Sequence, residues 1–215
     1  SHDLGHTPFG HAGEDALNNC MIKYGGFDHN IQTLRIVTLL ENKYYNFKGL
    51  NLSIETIDGL VKHNGRVLNQ DKFTSILGKN FFKKKINYFS SPSLEAQLAA
   101  ISDDIAYNSH DLEDGLRARL YSIEDLKKIP ILSKIIIKHK KFIKIKGSEL
   151  VLRQIIRGII NEMVKDIILN TKKNIKKQKI FTINDIYKSK NLLVTFSKEM
   201  QLFDTAIKFF LRERM

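Results

Sequence analysis

Apolar residues recur along most of this chain at the spacing of an amphipathic helix. Residues 28–41 show the pattern with four apolar side chains at intervals of three. The same kind of spacing predicts long helices over residues 148–175 and 193–215. The positions that we expect to face a core are Ile31, Leu34, Val37, Leu40, Leu150, Ile155, Ile159, Met163, Ile167, Phe196, Leu202, Ile207 and Phe210.

Hydroxyl side chains mark where two further helices begin. Ser53 is a typical N-cap for a helix that we predict up to about residue 62, because its hydroxyl can accept a hydrogen bond from a free backbone N–H. Ser93 is predicted to cap a longer helix over residues 94–110, and another helix is predicted over residues 11–23. Only 3 prolines and 12 glycines interrupt the 215 residues, so the sequence predicts an all-α fold.

The chain is strongly basic, with 35 lysines and arginines against 23 aspartates and glutamates and a net charge of +12. Much of the excess lies between residues 127 and 190. We weigh two interpretations of it, namely solvated helix faces or attraction of polyanions such as nucleotide phosphates and nucleic acid. Aromatic residues do not interleave with these lysines as they do in a stacking platform. We therefore expect at most weak nucleic-acid binding through the basic surface.

Cysteine content and hydropathy indicate the cellular compartment that we expect for the protein. Cys20 has no second cysteine to pair with, which excludes an internal disulfide framework, and we expect it to be a small buried side chain. No uninterrupted run of about 18 apolar residues is present, so no membrane span is expected. No secretory signal is visible at the start of the chain. We expect a cytoplasmic protein.

The first fourteen residues concentrate groups that bind metals and move protons. They hold His2, His6 and His11 together with Asp3 and Glu14. Imidazole and carboxylate are the usual ligands of a catalytic divalent metal ion, and an adjacent His-Asp pair can supply two of them. A histidine three residues before a glutamate, as in His11 and Glu14, can be held by that carboxylate as an acid or base. A capping or surface role is the alternative for His11.

A second group of polar residues lies on the helix predicted after Ser93. Asp103, Tyr107 and Asp111 are spaced by four, and each step drifts only about 40° around a helix, so the three share one face. Buried carboxylates are costly unless they are paired or bound to a metal. We interpret this face as part of a binding site. The alternative is a solvent-exposed stripe with ordinary salt bridges.

Several common nucleotide and hydrolase motifs are absent from the sequence. Gly5, Gly10 and Gly13 form neither the G-x-x-x-x-G-K-[ST] loop nor the G-x-G-x-x-G loop that cradle phosphates. No serine or cysteine nucleophile elbow is present either. These absences disfavour a P-loop ATPase, a Rossmann enzyme and a hydrolase with a nucleophile elbow.

Four segments, in order along the chain, resemble one known family. The segment His2–Glu14 reads His-Asp-Leu-Gly-His-x-Pro-Phe-x-His-Ala-Gly-Glu and resembles the HD-domain motif of the bacterial deoxyguanosinetriphosphate triphosphohydrolase-like family. Phe27–Arg35, Gly49–Asn64 and Pro92–Asp111 resemble later motifs of that family. The resemblance is dense up to about residue 120 and thins to general helical character beyond.

The resemblance implies a domain organisation. Residues 1–120 would form an HD-type catalytic core that lacks its N-terminal part. Residues 121–215 would form a helical C-terminal part, itself truncated, that packs on the core. The family's first metal-ligating histidine is expected upstream of His2, so the chain would be a fragment of the full enzyme.

By the same resemblance, His2, Asp3 and Asp103 would hold a divalent metal ion, Mg²⁺ or Mn²⁺. Asp104 is the competing ligand. We prefer Asp103 because it keeps the tyrosine and the aspartate that follow it in register with the family's substrate contacts. Three of the family's four ligands are then present, and we expect metal binding by this chain to be weakened.

The resemblance assigns the other motif residues to catalysis and substrate binding. His11 would act as the acid or base, or polarise the α-phosphate, and Glu14 would fix its tautomer. His29 is assigned to catalysis with them and would line the same pocket. The alternative is that His29 only makes structural hydrogen bonds. The residues assigned to the substrate are His6 at the phosphates, Tyr107 at the sugar or the phosphates, Asp111 at the sugar 3′-hydroxyl, and Lys62 and Arg35 at the triphosphate. The alternative is structural hydrogen bonding for His6 and a solvated side chain for Lys62 and Arg35.

The activity implied by the resemblance is metal-dependent hydrolysis of deoxynucleoside triphosphates to a deoxynucleoside and triphosphate. Two alternatives stay open. One is another HD-domain phosphohydrolase, either a nucleotidase or a phosphodiesterase. The other is a non-catalytic module that binds nucleotides or nucleic acid, which the net charge of +12 makes reasonable. Members of the family commonly form oligomers, and a homo-oligomer is what the resemblance implies here.

Overall fold

A computed structural model describes residues 2–69, 86–140 and 148–214, together with residues 71, 73 and 142. Every regular element within these residues is a helix, which confirms the predicted all-α fold. Part of the basic stretch, residues 141 and 143–147, lies outside the described residues. The α-helices are α1 (Gly10–Met21), α2 (His29–Arg35), α3 (Ile54–Val61), α4 (Leu94–Arg117), α5 (Ile123–Leu126), α6 (Pro130–Lys140), α7 (Ser148–Lys177), α8 (Ile183–Lys188) and α9 (Lys198–Arg214).

Shorter helical turns extend this set. A 3₁₀ turn, His2–Gly5, opens the described part of the chain, and a second one, Ile22–Tyr24, continues α1. A π-helical turn, Ile36–Leu40, continues α2. The predicted helices over residues 11–23 and 28–41 are therefore each confirmed as an α-helix followed by a turn of different pitch.

The chain forms two compact units. The first unit contains residues 1–97 and 181–192, and the second unit contains residues 98–180 and 193–215. The predicted catalytic core of residues 1–120 stays a prediction, because compactness alone does not locate a catalytic domain.

The first unit is built on short helices with polar caps. The predicted cap at Ser53 is confirmed, since its Oγ accepts a hydrogen bond from the Thr56 N–H at 3.3 Å. Asp28 caps α2 in the same way, with Oδ1 accepting from the Asn30 N–H at 2.9 Å. Side chains from these helices and from the segments around them form an apolar core. Its buried members are Leu34, Val37, Ile57, Leu60, Val61, Val67, Ile86 and Tyr88.

The second unit is built around long helices, and α7 alone has 30 residues. α7 lies against α6, and the contact at Gly158 is close, since a Cβ there would sit only 2.8 Å from a methyl carbon of Ile135. Its predicted core positions Ile155, Ile159 and Met163 are buried as expected. The predicted helix over residues 148–175 is confirmed with ends at Ser148 and Lys177.

The last predicted helix was too long by five residues, because α9 begins at Lys198 rather than at residue 193. Side-chain amides on α7 bind the backbone of the intervening segment. Asn174 Nδ2 donates to the Leu193 carbonyl at 2.9 Å, and Asn170 Nδ2 donates to the Thr195 carbonyl at 2.8 Å. Ser197 then caps α9 by accepting from the Met200 N–H at 3.3 Å. These tertiary hydrogen bonds replace the helical ones that the apolar pattern suggested.

Four apolar positions were also predicted wrongly. Leu202 is 73% exposed, because it lies five residues from Ile207 and therefore about 140° away around α9. Leu40 lies at the end of the π-helical turn, where the helical spacing changes, and Leu150 lies in the first turn of α7, and both are more than half exposed. Cys20, expected to be buried, is exposed on α1, which contributes no buried residue.

None of the helices in the described part of the chain combines the length and the apolar character that crossing a membrane requires.

Candidate active site

The opening motif is clamped against α2 by one threonine. The Thr33 hydroxyl donates to the His2 carbonyl oxygen at 2.7 Å and accepts from the Gly5 N–H at 2.9 Å. Gly5 lies so close to α2 that a Cβ there would clash with the His29 carbonyl oxygen and the Thr33 backbone nitrogen. Glycine at position 5 therefore allows the 3₁₀ turn to present its side chains beside α2.

His2 and Asp3 lie side by side on this turn. His2 Nε2 is 3.1 Å from Asp3 Oδ2, and the other Asp3 oxygen is 3.4 Å from His6 Nε2. Metal–ligand bonds of about 2.0–2.2 Å place neighbouring ligand atoms about 3 Å apart. An imidazole nitrogen and a carboxylate oxygen at 3.1 Å thus fit two ligands of one divalent ion. The side chain of Asp3 is 57% exposed, which leaves the pair open to an incoming ion.

A second group of ligand-type side chains lies next to the pair, and we call it the histidine cluster. It consists of His6, His11, Glu14 and His29, each of which offers one ligand atom within 4.8 Å of the others. His6 directly follows the 3₁₀ turn, His11 and Glu14 lie on α1, and His29 is the first residue of α2. The sequence predicted all four as site residues, and the structure brings them together.

Glu14 connects the members of this cluster. Its Oε1 accepts a hydrogen bond from the His29 backbone N–H at 2.8 Å, and both of its oxygens lie 2.8 Å from His29 Nδ1. His11 Nδ1 is farther away, at 3.3 Å. The i, i+3 spacing predicted that Glu14 would orient His11, yet its closer partner is His29.

The charge state of Glu14 follows from these contacts. Burial by itself would raise the pKa of its carboxyl group, but the hydrogen bonds from the His29 backbone and from the rings of His29 and His11 lower the pKa to about 2. An ionised carboxylate only accepts hydrogen bonds, so the Nδ1 of His29 must carry the proton in the bond between them. A neutral His29 would then have Nε2 free of a proton.

The rings of the cluster differ in how far they reach into solvent. His29 is buried and stacks on His6 with ring centroids 4.0 Å apart and planes 15° apart. The side chain of His11 is 80% exposed and approaches His6 edge-on at 5.4 Å. One face of the cluster is therefore fixed inside the protein, and the other is accessible to a ligand.

His63 belongs beside this site although the sequence did not select it as a site residue. Its ring lies 5.2 Å from the His2 ring and 6.4 Å from the His29 ring. His63 Nδ1 lies 2.8 Å from the Leu60 carbonyl oxygen, and burial lowers the pKa of this histidine. Its location at the end of α3 within the segment that resembles the family was the available signal.

Lys62 and Arg35 lie in different environments. Lys62 is only 1% exposed, with Nζ 2.7 Å from Asp58 Oδ1 and donating to Ser90 Oγ at 2.8 Å. A solvated side chain is therefore the wrong interpretation for Lys62. It lines a cavity of about 370 Å³ in the first unit together with Asp58, Ser90 and Tyr187. Arg35 is exposed at the end of α2.

Asp103, Tyr107 and Asp111 lie on α4, as predicted. Tyr107 and Asp111 line a cavity of about 370 Å³ in the second unit, while Asp103 is exposed. Burial, and then the neighbouring Asp114 carboxylate, raise the pKa of Asp111. The two residues that the sequence assigned to sugar recognition thus share one cavity.

Sequence reasoning missed the basic side of that cavity. Lys208 and Arg212 of α9 line it together with the buried Asn108 of α4. Asn108 Nδ2 donates to Asp204 Oδ1 at 2.9 Å, and Lys208 Nζ lies 3.0 Å from the other Asp204 oxygen. No local motif marks these residues, because α9 meets α4 only through tertiary packing. The cavity therefore combines carboxylate, phenol and cationic groups.

Comparison with known proteins gives several full-chain matches, although no family model matches. A deoxyguanosinetriphosphate triphosphohydrolase-like protein of Pelagibacter ubique (strain HTCC1062) is 51% identical over 215 residues, which is 100% of this chain and 58% of the relative. Proteins of the same name from Bartonella tribocorum (strain CIP 105476 / IBS 506) and Rickettsia rickettsii (strain Iowa) are 46% and 38% identical, again over 100% of this chain, and 54% and 56% of the relatives are covered.

The chain spans a little over half the length of these relatives. An alignment that covers the whole chain at this overall identity agrees with the ordered motifs and with the helical fold that carries them. Over the segment that it spans, the chain belongs to the family of deoxyguanosinetriphosphate triphosphohydrolase-like proteins.

Proposed function

We propose that this chain carries catalytic residues of a metal-dependent hydrolase that converts a deoxynucleoside triphosphate and water into a deoxynucleoside and triphosphate. The observation that carries the proposal is the meeting of an adjacent His-Asp pair on the 3₁₀ turn, His2 and Asp3, with the histidine cluster, whose members follow that turn and lie on two helices. Membership in the family of the relatives supports the same reaction.

The reaction breaks one bond and forms one. Water attacks the α-phosphorus, the bond from that phosphorus to the 5′-oxygen breaks, and the 5′-oxygen takes up a proton. By resemblance to the family, His2, Asp3 and Asp103 would hold the divalent ion, Mg²⁺ or Mn²⁺. When bound, that ion supplies activation of water and charge stabilisation on the phosphate oxygens.

The histidine cluster provides groups for the proton transfers. His11 is the exposed member, so we assign to it the proton that the departing 5′-oxygen needs. Glu14 stays ionised, with a pKa of about 2, and keeps the ring of His29 oriented through Nδ1. We assign His29 and His6 to the phosphate oxygens, where negative charge develops, and His29 would donate there through Nε2 only when both of its ring nitrogens carry a proton.

The substrate assignments on α4 complete the proposal. Tyr107 would pack against the sugar and exclude a 2′-hydroxyl, and Asp111 would accept a hydrogen bond from the 3′-hydroxyl. Arg35 and Lys62 are proposed for the triphosphate, with Lys62 the weaker candidate because Asp58 already neutralises its ammonium group at 2.7 Å. Equal cleavage of dGTP and GTP would contradict the role of Tyr107.

The phosphorus product tests the proposed function. The chain would be incubated with each deoxynucleoside triphosphate and Mn²⁺, in parallel with a form extended upstream through the next histidine-bearing helix of its reading frame, and phosphorus NMR would follow the products. We expect tripolyphosphate from at least one form, lost in His2→Ala and in Asp103→Ala. Orthophosphate or pyrophosphate would instead indicate another HD-domain phosphohydrolase, and no turnover by either form would favour a binding module.

A further inference from the structure

We propose that the histidine cluster is a second metal site, selective for Zn²⁺ and similar transition ions, and distinct from the His2–Asp3 pair. The four side chains supply three imidazoles and one carboxylate, with ligand atoms within 4.8 Å of one another. Nothing in the proposed reaction requires a metal at these residues.

The donor set decides which ion the cluster would bind. Imidazole nitrogens suit zinc, copper, nickel and iron, and zinc takes four such ligands in a tetrahedron. Mg²⁺ instead demands oxygen ligands in an octahedron and keeps several waters. A set of three nitrogens and one oxygen therefore discriminates against Mg²⁺, one of the two ions proposed for the His2–Asp3 pair.

The distances require only small movements. Zinc bonds of about 2.0–2.2 Å place tetrahedral ligand atoms about 3.3–3.6 Å apart. The contacts of Glu14 with the two ring nitrogens, at 2.8 Å to His29 and 3.3 Å to His11, already lie near this range, and the proton that His29 Nδ1 shares with Glu14 would be released when the ion binds. The remaining separations, which reach at most 4.8 Å, shorten by rotation of side chains, and His11 is free to rotate because it is 80% exposed.

An unpaired nitrogen and an open approach also point to a ligand. His6 Nδ1 is buried and has no hydrogen-bond partner among the described residues. Buried polar atoms are rarely left without a partner, and one that is calls for an explanation. Glu14 and His29 form the buried floor of the site, with side chains 15% and 10% exposed, while His11 stands at the entrance. A cation can therefore enter from solvent and meet a floor that is already fixed.

Binding of Zn²⁺ would inhibit the reaction proposed above, because it would occupy the residues assigned to proton transfer and phosphate contact. This consequence rests on the proposed function, whereas binding itself does not. The two are therefore measured separately, and binding is measured on the 215-residue chain whether or not that chain hydrolyses nucleotides.

Titration calorimetry with Zn²⁺ in a large excess of Mg²⁺ tests the site, and the visible absorption of Co²⁺ reports its geometry. We expect one ion per chain that Mg²⁺ does not displace, with the intense Co²⁺ bands of a tetrahedral site. His11→Ala should weaken binding by at least about tenfold, since even residues behind the ligands cost that much in other metal sites. His11 is exposed, so this variant should fold normally, and Glu14→Gln provides a second ligand variant.

Two control variants separate the cluster from its surroundings. His110 is an exposed histidine of the second unit, so His110→Ala should bind Zn²⁺ as the parent chain does. His2→Ala should also retain Zn²⁺, because His2 belongs to the neighbouring pair. Equal affinity in His11→Ala and the parent, displacement by Mg²⁺, or loss of the ion in His2→Ala would each overturn the proposal. The predicted inhibition is tested by adding one equivalent of Zn²⁺, which should stop Mn²⁺-dependent hydrolysis.

Discussion

The histidine cluster and helix α7 are constructed in opposite ways. The cluster lies directly after a four-residue turn and on two short helices, and hydrogen bonds to Thr33 and Glu14 hold the turn and His29 in place. α7 has 30 residues, and its buried side chains around Ile159 and Met163 are apolar. Substitutions in the cluster should therefore change chemistry with little effect on folding, and substitutions on the buried face of α7 should do the reverse.

The largest effect that we expect is the loss of turnover in the variant His11→Ala. Loss of a positioned acid or base should lower the rate of hydrolysis by about 10²–10⁴-fold. The melting temperature should stay the same, because the side chain is 80% exposed and its polar contact with Glu14 is long, at 3.3 Å. His110→Ala, in the second unit, serves as the matched control with unchanged turnover. Normal turnover in His11→Ala would remove this residue from the reaction.

The reverse behaviour is expected for Ile159→Ala. Ile159 is fully buried in the second unit, so the truncation should lower the free energy of unfolding by about 2–5 kcal/mol. Ile168 lies on the same helix but is 49% exposed, and Ile168→Ala should change stability far less. Chemical denaturation of both variants measures the difference. Similar losses in the two variants would show that burial on α7 does not determine stability.

An intermediate case is Gly5→Ala, which connects the two properties. The new Cβ would clash with the backbone of α2, so we expect a loss of about 1–3 kcal/mol and weaker metal binding at His2 and Asp3. Gly59→Ala is the control, because a Cβ there meets only the Ala96 methyl at 3.6 Å and alanine favours a helix. Denaturation should show opposite signs for the two variants, and two losses of equal size would contradict the clamp.

The last effect is the pH dependence that Glu14 confers on stability. Its pKa falls from 4.5 to about 2 in the folded chain, so its stabilising contribution is present above pH 4.5 and is lost as the pH falls toward 2. The stability difference between the parent and Glu14→Gln should therefore be largest near neutrality and shrink across that window. Denaturation at several pH values measures it, and a difference that grows on acidification would refute the assignment.

Sequence reasoning succeeded where interactions are local. The caps at Ser53 and Ser93 were predicted because a cap involves residues only three positions apart, and Ser93 Oγ indeed accepts from the Ala96 N–H at 3.2 Å. The helical spacing of α7 was equally clear. The error at residues 193–197 arose because Asn170 and Asn174, some twenty residues away, bind that backbone.

The same limit, between local interactions and tertiary contacts, applies to the candidate site. The opening motif predicted His2, Asp3, His6, His11 and Glu14 because they are neighbours in sequence, and His29 came from the resemblance to the family. That Glu14 binds His29 more closely than His11 depends on how α1 meets α2, which no spacing rule contains. His63 was not selected because its place beside His2 depends on the packing of α3.

The position of the bond that breaks tests the central claim most directly. Hydrolysis of dGTP with Mn²⁺ in water enriched in oxygen-18, followed by mass spectrometry of both products, locates the incoming oxygen. Attack at the α-phosphorus places the label in the released triphosphate and leaves the 5′-hydroxyl of deoxyguanosine unlabelled. Label in the nucleoside, or in orthophosphate released from the end of the chain, would contradict the proposed reaction.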